Sequence, residues 1–440
     1  MRFENNVVYL QKKKLMNTLT IKEALTEQKV EIERLLSRDT VERPEAKFIN
    51  LNSELAQVVI GVRRSGKSTL CHQVIRGSKL KYAYVNFDDE RLTTLKGEQL
   101  NDVLRSLYDI YGKFELLFLD EIQNISDWYL FVNRLLRAGF HILITGSNAK
   151  LLSGELATHL TGRHETVSLY PFSFKEYCTY HHIDTTQQTT MVDGLRKAAF
   201  ETYMKTGGFP DIVKNTVNDN YIDDLVHNIV YRDIQQRYSI RHIGIFRQIV
   251  DHILNTSPSK INIKELQDLF GISFQTAENY LTYIKEAYLV ISVKKFSPKS
   301  RIRIRNEKLY AVDHGLMSNR RDAFSGENLG WRLETIALIQ LMRIHNRFRR
   351  DIYYYEDTKA EADFLVCKGN TVLEIIQVSY DISNPKTRAR ELKGLELAAV
   401  KTGCTKLTLI TLDQREHTET KQGLKVNIVP IVDWLLNPDE

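Results

Sequence analysis

The sequence predicts an α/β fold built around a parallel β-sheet, and three observations lead to this fold class. Residues 61–69 fit the phosphate-loop pattern G-x-x-x-x-G-K-[S/T] at every position. A short apolar run, residues 58–60, precedes the loop, and apolar residues at helical spacing follow it. From about residue 47 to residue 170, apolar runs alternate with helical stretches, as a parallel sheet with crossover helices requires.

The phosphate loop carries chemistry as well as fold information. Its glycines permit a tight turn, so that the loop amides and the N-terminus of the following helix face an anion. Lys67 is expected to contact the phosphates of a nucleotide, and the Ser68 hydroxyl to ligate Mg²⁺. We expect the ATP-binding residues to be Gly61, Arg64, Ser65, Gly66, Lys67, Ser68 and Thr69, together with Asp120.

A second apolar run, residues 116–119, ends in Asp120 and Glu121. In phosphate-loop ATPases the first such carboxylate holds the Mg²⁺ shell, and a following glutamate is suited to act as general base on water. The pair therefore favours ATP hydrolysis over nucleotide sensing. A third run, residues 142–145, leads to Ser147 and Asn148, which are candidates for contacting the γ-phosphate or simply begin a turn.

Length and composition set broad limits. The 440 residues are enough for about two to four domains. The four cysteines form no C-x-x-C pair, which argues against a zinc site or disulfides and for a reducing compartment. No signal peptide and no apolar run of transmembrane length is recognisable, so we expect a cytoplasmic protein without a membrane partner. The net charge of +6 permits binding to nucleic acid.

Composition and periodicity predict five segments along the chain. They are a helical segment at 1–45, the ATPase core at 46–170, a helical region at 171–240, a winged helix at 241–318 and a second α/β domain at 325–440. Near the end of the core, Arg163 follows a glycine and is a candidate for stabilising charge on the γ-phosphate, or else a surface arginine beside a turn. Action in trans would need a ring or a dimer, whereas action in cis needs only a monomer.

The predicted winged helix contains a candidate DNA-binding surface. Gly271 supplies the turn between two helices, and Ser273 is positioned to cap the second helix. Residues expected to face a DNA groove from that helix are Gln275, Thr276, Asn279 and Lys285; a basic hairpin follows with Lys299, Arg301, Arg303 and Arg305. The alternatives are the charged face of an edge strand and a winged helix that binds only protein.

The last segment carries acidic and polar residues that can hold a divalent metal. A helix brings Glu334, one strand brings Asp363, and the next strand brings Gln377 and Ser379.

Together these motifs resemble a large family of prokaryotic AAA+-type ATPases whose C-terminal domain is poorly characterised. Further matches lie at residues 169–176, 207–210 and 231–233, so the resemblance spans nearly the whole chain. It implies a core of the additional-strand catalytic-glutamate type, then a helical lid, a winged helix and a restriction-endonuclease-like domain. The resemblance also implies that Asn148 is a sensor and that Arg163 is the arginine beyond the core.

The terminal domain departs from an active nuclease pattern. Such domains pair an aspartate on one strand with Glu-x-Lys on the next, whereas Asp363 is followed here by Gln377 and Ser379 at the matching positions. Losing the second carboxylate weakens metal binding, and losing the lysine removes a charge that helps orient the nucleophile, so we expect a domain that binds or assembles. The leading hypothesis is an ATP-hydrolysing motor or switch on DNA. The alternatives are a signalling or scaffold ATPase with protein partners and an ATP-regulated nuclease.

Overall fold

The computed structural model describes residues 2–146, 160, 162–218, 220–297, 299, 306–317, 329–345, 350–358 and 360–437, without the side chains of residues 2–18 and 236. The chain divides into two compact units. The first comprises Met1–Gly61 and Gly66–Leu169, and the second comprises Val62–Ser65 and Tyr170–Glu440. No helix in the described ranges has both the length and the apolar character needed to span a membrane.

The first unit is built on a five-stranded parallel sheet. Its strands are β1 (Ala56–Ile60), β2 (Tyr82–Asn86), β3 (Leu116–Asp120), β4 (His141–Gly146) and β5 (His164–Ser168). The order across the sheet is β2-β3-β4-β1-β5, so β4 lies between the strand that leads into the phosphate loop and the strand that ends in Asp120. This sheet confirms the predicted α/β fold, and β1 and β3 are buried along their whole length, as strands covered on both faces are.

The helices of the first unit cover this sheet. They are α1 (Arg2–Leu36), α2 (Lys67–Arg76), α3 (Leu100–Tyr111) and α4 (Trp128–Arg137), with short 3₁₀ turns at Pro44–Phe48, Gly97–Gln99 and Ile122–Asn124. On α1, Ile32 is fully buried in one core cluster with Val59 of β1 and Phe118 of β3. The long N-terminal helix is therefore packed against the ATPase sheet through its apolar face.

The second unit contains helices both before and between its strands. They are α5 (Phe174–Tyr180), α6 (Thr190–Thr206), α7 (Pro210–Val213), α8 (Tyr221–Asn228), α9 (Gln235–Tyr238), α10 (Ile243–Asn255), α11 (Ile263–Phe270), α12 (Phe274–Glu286), α13 (Leu329–His345), α14 (Pro385–Thr402) and α15 (Ile431–Leu436). A π-helical stretch, Ile229–Ile234, joins α8 to α9, and a 3₁₀ turn lies at His314–Met317. A common apolar cluster buries α8, the π-helix, α10 and part of α12.

Two glycines mark a close crossing of the chain in this unit. The Phe172 amide donates a hydrogen bond to the Gly208 carbonyl at 2.6 Å, and the Gly208 amide donates to the Asp313 carboxylate at 3.0 Å. A Cβ on Gly208 would lie 2.2 Å from the Phe172 carbonyl oxygen, and one on Gly207 would lie 2.2 Å from the Asp313 carboxylate. The Gly-Gly-Phe-Pro sequence at 207–210 is thus explained by steric crowding at the crossing.

A nine-stranded mixed sheet forms the rest of the second unit. Its strands are β6 (Ser259–Lys260), β7 (Val290–Lys295), β8 (Glu307–Ala311), β9 (Asp351–Glu356), β10 (Glu361–Lys368), β11 (Thr371–Val378), β12 (Leu407–Thr411), β13 (Glu416–Glu419) and β14 (Lys425–Pro430), in the order β13-β14-β12-β11-β10-β9-β7-β8-β6. Because β7 pairs in parallel with β9, strands of the predicted winged helix and of the predicted terminal domain share one sheet. The domain boundary between residues 318 and 325 lies outside the described residues and stays a prediction.

Candidate functional site

The phosphate loop leaves β1 and enters α2 in a conformation suited to an anion. Gly66 has φ 96°, in the left-handed region that a side chain disfavours, and α2 starts at the next residue, Lys67. Arg64, also at positive φ, is exposed, whereas Ser65 and Lys67 are buried. The first turn of α2 leaves amides without intrahelical partners, so this end of the helix attracts negative charge.

At the end of β3, Asp120 accepts hydrogen bonds from three hydroxyl groups. Its carboxylate accepts hydrogen bonds from Ser68 Oγ at 3.0 Å, from the Tyr84 hydroxyl at 3.4 Å and from Thr145 Oγ1. Burial, and next the neighbouring charge of Glu121, raise the pKa of Asp120 to about 6. A cation bound nearby would stabilise the charged form of this buried carboxylate.

Glu121 follows in a strained backbone conformation, with φ 53°. Its amide donates to Thr145 Oγ1 at 3.1 Å, and its carboxylate accepts a hydrogen bond from Gln123 Nε2 and lies 4.0 Å from the Lys67 ammonium. The fold therefore brings the two sequence motifs together, although they are far apart in the chain. The residues that meet are Lys67, Ser68, Asp120 and Glu121.

Three residues of this site were missed at the level of sequence. Thr145 bonds to both acidic residues, Tyr84 bonds to Asp120, and Gln123 bonds to Glu121. Thr145 has a visible signal, since it is a polar residue inside the apolar run of β4. Tyr84 and Gln123 have none, because aromatic strand residues and turn glutamines are common everywhere.

Asn148 and Arg163 were also predicted site residues. Asn148, with Ser147, lies outside the described residues, so its sensor role stays a prediction. Arg163 is exposed, and its carbonyl accepts a hydrogen bond from the Ala56 amide at the amino end of the sheet. The phosphate loop follows the carboxyl end, about 16 Å away for the five residue steps from Ala56 to Gly61. The role of Arg163, in cis, in trans or as a surface arginine beside a turn, stays a prediction.

An acidic cluster lines a cavity of about 1310 Å³ in the second unit. Glu334, Glu361 and Asp363 line it, and the Lys308 ammonium lies 2.8 Å, 3.2 Å and 4.0 Å from these carboxylates respectively. Burial alone would lower the pKa of Lys308, but Glu334, Asp363 and Glu361 raise it well above its usual range. Tyr310 donates a further hydrogen bond to Glu334 at 2.7 Å.

The surroundings of Asp363 bear on its expected role as a metal ligand, which stays a prediction. Burial, and next Glu334, raise the pKa of Asp363 well above its usual range, and its carboxylate accepts a hydrogen bond from the Val378 amide at 2.9 Å. Gln377 bonds to the Asp363 amide and to Glu391. In the described ranges no group of three or more His, Cys, Asp or Glu side chains is arranged to hold a metal ion. A lysine from β8 supplies the positive charge here.

The candidate nucleic-acid residues are either exposed, half-buried or outside the described ranges. Gln275 and Asn279 are exposed on α12 and bond to each other at 3.2 Å, while Thr276 is half-buried beside the Ser273 cap. Lys285 was expected to be available, but it is half-buried and paired with Glu307. Lys299 is exposed. The three arginines of the predicted hairpin, Arg301, Arg303 and Arg305, lie outside the described residues.

The parallel sheet, the phosphate loop and the acidic pair are the features of an AAA-type ATPase domain. The AAA domain family matches residues 53–178, and a domain of unknown function matches residues 197–326. An uncharacterized protein of Methanocaldococcus jannaschii is 31% identical over 96% of this chain and 100% of its own length. An uncharacterized protein of Haemophilus influenzae is 31% identical over 88% of this chain and 95% of its own. The chain belongs to the family of these two proteins.

A solved structure of a Walker-type ATPase from Pyrococcus abyssi is also similar to this chain. It is 14% identical with a TM-score of 0.41, and the similarity covers 64% of this chain and 98% of that one.

Proposed function

We propose that the protein is an ATP-hydrolysing switch or motor that works on DNA. ATP with Mg²⁺ binds in the phosphate loop, Lys67 contacts the phosphates, and Ser68 and Asp120 organise the metal shell. Glu121 acts as the general base that takes a proton from the attacking water. The observation that carries the ATPase part of the proposal is the convergence of the Lys67, Ser68, Asp120 and Glu121 side chains at one end of the sheet.

The chemistry of these side chains fits Mg²⁺ and a polyphosphate. Mg²⁺ prefers oxygen ligands, and Ser68 Oγ and the Asp120 carboxylate lie 3.0 Å apart. The raised pKa of Asp120 reflects a buried carboxylate beside a second one, and a divalent cation would offset that repulsion. Bound there, Mg²⁺ would neutralise phosphate charge, while the protein orients water through Glu121 and its partner Gln123.

The DNA part of the proposal is supported by the surface of α12. Gly271, at φ 62°, separates α11 from α12, and Ser273 caps α12 by accepting a hydrogen bond from the Thr276 amide at 3.1 Å. Gln275 and Asn279 are one helical turn apart and exposed, and side-chain amides of this kind pair with adenine in the major groove. We propose that the basic residues at 299–305, which the sequence predicts to form a hairpin, contact phosphates, because arginine forks suit phosphate oxygens.

Binding and turnover with and without DNA test this proposal. We expect fluorescence anisotropy with duplex, single-stranded and branched DNA to show affinity that falls steeply with salt, and DNA to stimulate ATP turnover. Replacing Arg301, Arg303 and Arg305 by alanine should reduce the salt slope by about 3, one unit for each lost phosphate contact. The double variant Gln275→Ala/Asn279→Ala should weaken binding without changing that slope.

Gln188→Ala removes an exposed amide elsewhere in the second unit and serves as the matched control for the α12 substitutions. ATP turnover without any salt-dependent DNA binding or DNA stimulation would refute the DNA part and leave the ATPase part standing.

Two observations favour a second candidate, an ATPase that acts on a protein partner. Leu269 and Phe274 flank the turn between α11 and α12 and are 59% and 53% exposed. The exposed face of α12 also carries Glu278 rather than a basic side chain. A partner that is captured after nuclease treatment by the wild-type protein, and lost with Phe274→Ser, would favour this candidate over DNA.

A further inference from the structure

Part of the phosphate loop is anchored in the second unit. Residues Val62–Ser65 belong to that unit, and Val62 is fully buried in its apolar cluster with Ile222, Ile229 and Phe209. The four anchored residues lie between Gly61 and Gly66, the two glycines of the motif. Lys67 follows directly, so the packing of this short stretch bears on the position of the phosphate-binding lysine.

An ion pair reinforces this anchor. Arg63 Nη1 lies 3.0 Å from Asp233 Oδ1, and the two side chains are only 23% and 12% exposed. At such burial a charge pair is screened less than at the surface, so this pair is expected to hold the loop more strongly than an exposed pair would. The two residues are 170 positions apart in the sequence, and neither was among the predicted site residues.

Asp233 stands on an unusual piece of backbone. It lies in the π-helical stretch Ile229–Ile234, which runs between α8 and α9. Such stretches are rare and frequently accompany functional sites. At the start of α8, Tyr221 donates a hydrogen bond to Asp211 at 2.7 Å; burial and Asp211 raise its pKa, while the charge of Arg64 opposes the rise. Two successive arginines of the loop therefore act on one helical segment.

We propose that Asp233 is a positioning residue for the ATP site. By holding Arg63 it fixes the backbone of the phosphate loop in the conformation that presents its amides to phosphate. A loop fixed in advance loses less conformational freedom on binding, which strengthens affinity. By the reciprocity of linked equilibria, nucleotide binding in turn stabilises the π-helical segment around Asp233. This inference rests on the proposed ATP-binding function.

Asp233→Asn should therefore weaken ATP binding, by about 5- to 150-fold if the coupling has the usual size. The effect should fall mainly on KM, with a smaller change in kcat, because Asp233 acts on the loop and not on the attacking water. Arg63→Gln should have a similar effect, and the double variant should be no worse than either single one. The charge-reversed pair Arg63→Asp/Asp233→Arg should recover affinity lost in Arg63→Asp.

The test measures the dissociation constant of a fluorescent ATP analogue, together with KM and kcat, for each full-length variant. Arg247 and Asp251 form the matched control pair, since their side chains are 21% and 23% exposed and the pair is also 3.0 Å long. Asp251→Asn should bind ATP as the wild type does. A thermal melt of each variant separates loss of fold from loss of affinity, and the charge-reversed pair keeps the test valid if Asp233→Asn unfolds.

Wild-type affinity or tighter binding in Asp233→Asn, or no recovery in the folded charge-reversed pair, would overturn the inference while the ATPase proposal stands. Absence of ATP binding by the wild type would refute both.

Discussion

His72 provides a test of packing beside the ATP site through the pH dependence of stability. It lies on α2 and is 8% exposed, with the rings of Tyr84 and Phe118 at about 6 Å from its own (6.2 Å and 6.0 Å between centroids). Its Nε2 finds no hydrogen-bond partner among the described residues. Burial, and next the positive charge of Arg38, lower the pKa of His72 to about 4.

The magnitude follows from linkage between protonation and folding. The unfolded chain takes up a proton near pH 6.5, whereas the folded protein does so only near pH 4. Stability from neutral His72 is therefore fully present above pH 6.5 and is lost as the pH falls towards 4. Below pH 6.5 the free energy of unfolding falls by about 1.4 kcal/mol per pH unit, so it falls by about 2 kcal/mol between pH 7.5 and pH 5. The His72→Leu variant has no such proton to take up and should lack this loss.

The assay is urea unfolding at several pH values, followed by the fluorescence of Trp128, which is buried in the first unit. Replacing Trp331 and Trp434 by phenylalanine leaves Trp128 as the sole tryptophan of the three. His417→Gln, which removes an exposed histidine, controls for loss of an imidazole as such. Equal pH slopes for the wild type and His72→Leu would refute the assignment of His72 as a buried neutral histidine.

Two further predictions concern the second unit. Gly208→Ala should destabilise the protein by about 1–3 kcal/mol, because the added Cβ would lie 2.2 Å from a backbone oxygen. Gly194→Ala, whose added Cβ would have nothing within 4 Å, should stabilise the protein by about 0.5–1 kcal/mol. A lower melting temperature for Gly194→Ala than for Gly208→Ala would contradict the close crossing of the chain at Gly208. Lys308→Met should lower the free energy of unfolding by about 3–5 kcal/mol, because it leaves buried carboxylates without their cation. Lys406→Met removes a lysine that is 65% exposed in its ion pair and should lower the free energy of unfolding by less than about 1 kcal/mol. Equal losses in urea unfolding would contradict the account of the acidic cluster.

Local patterns in the sequence were sufficient for much of the fold. The apolar runs at 116–119 and 142–145 became β3 and β4, because buried parallel strands need continuous apolar residues. The helix after Ser273 starts where its capping side chain predicts, since the Ser273 hydroxyl accepts the Thr276 amide. These are properties of a few neighbouring residues, and periodicity and capping report them directly.

Contacts between distant residues were beyond reach. Lys308 enters the acidic cluster from β8 because β8 and β10 belong to one continuous sheet, and that sheet depends on the pairing of β7 with β9. The Arg63–Asp233 pair likewise depends on how the helical region folds. The prediction that Lys285 is available to bind DNA was wrong for the same reason, because its partner Glu307 lies on β8. Tertiary packing decides such pairs, and no local signal marks them.

ATP turnover by the Glu121→Gln variant tests the central claim most directly. Glutamine keeps the shape of the side chain but has no basic carboxylate, so the variant should bind ATP as the wild type does and hydrolyse it about 10²- to 10⁴-fold more slowly. Lys67→Ala, measured alongside, should lose ATP binding itself. Slow hydrolysis with retained binding in Glu121→Gln is the result that we predict, and wild-type turnover in this variant would contradict the assignment of the catalytic base.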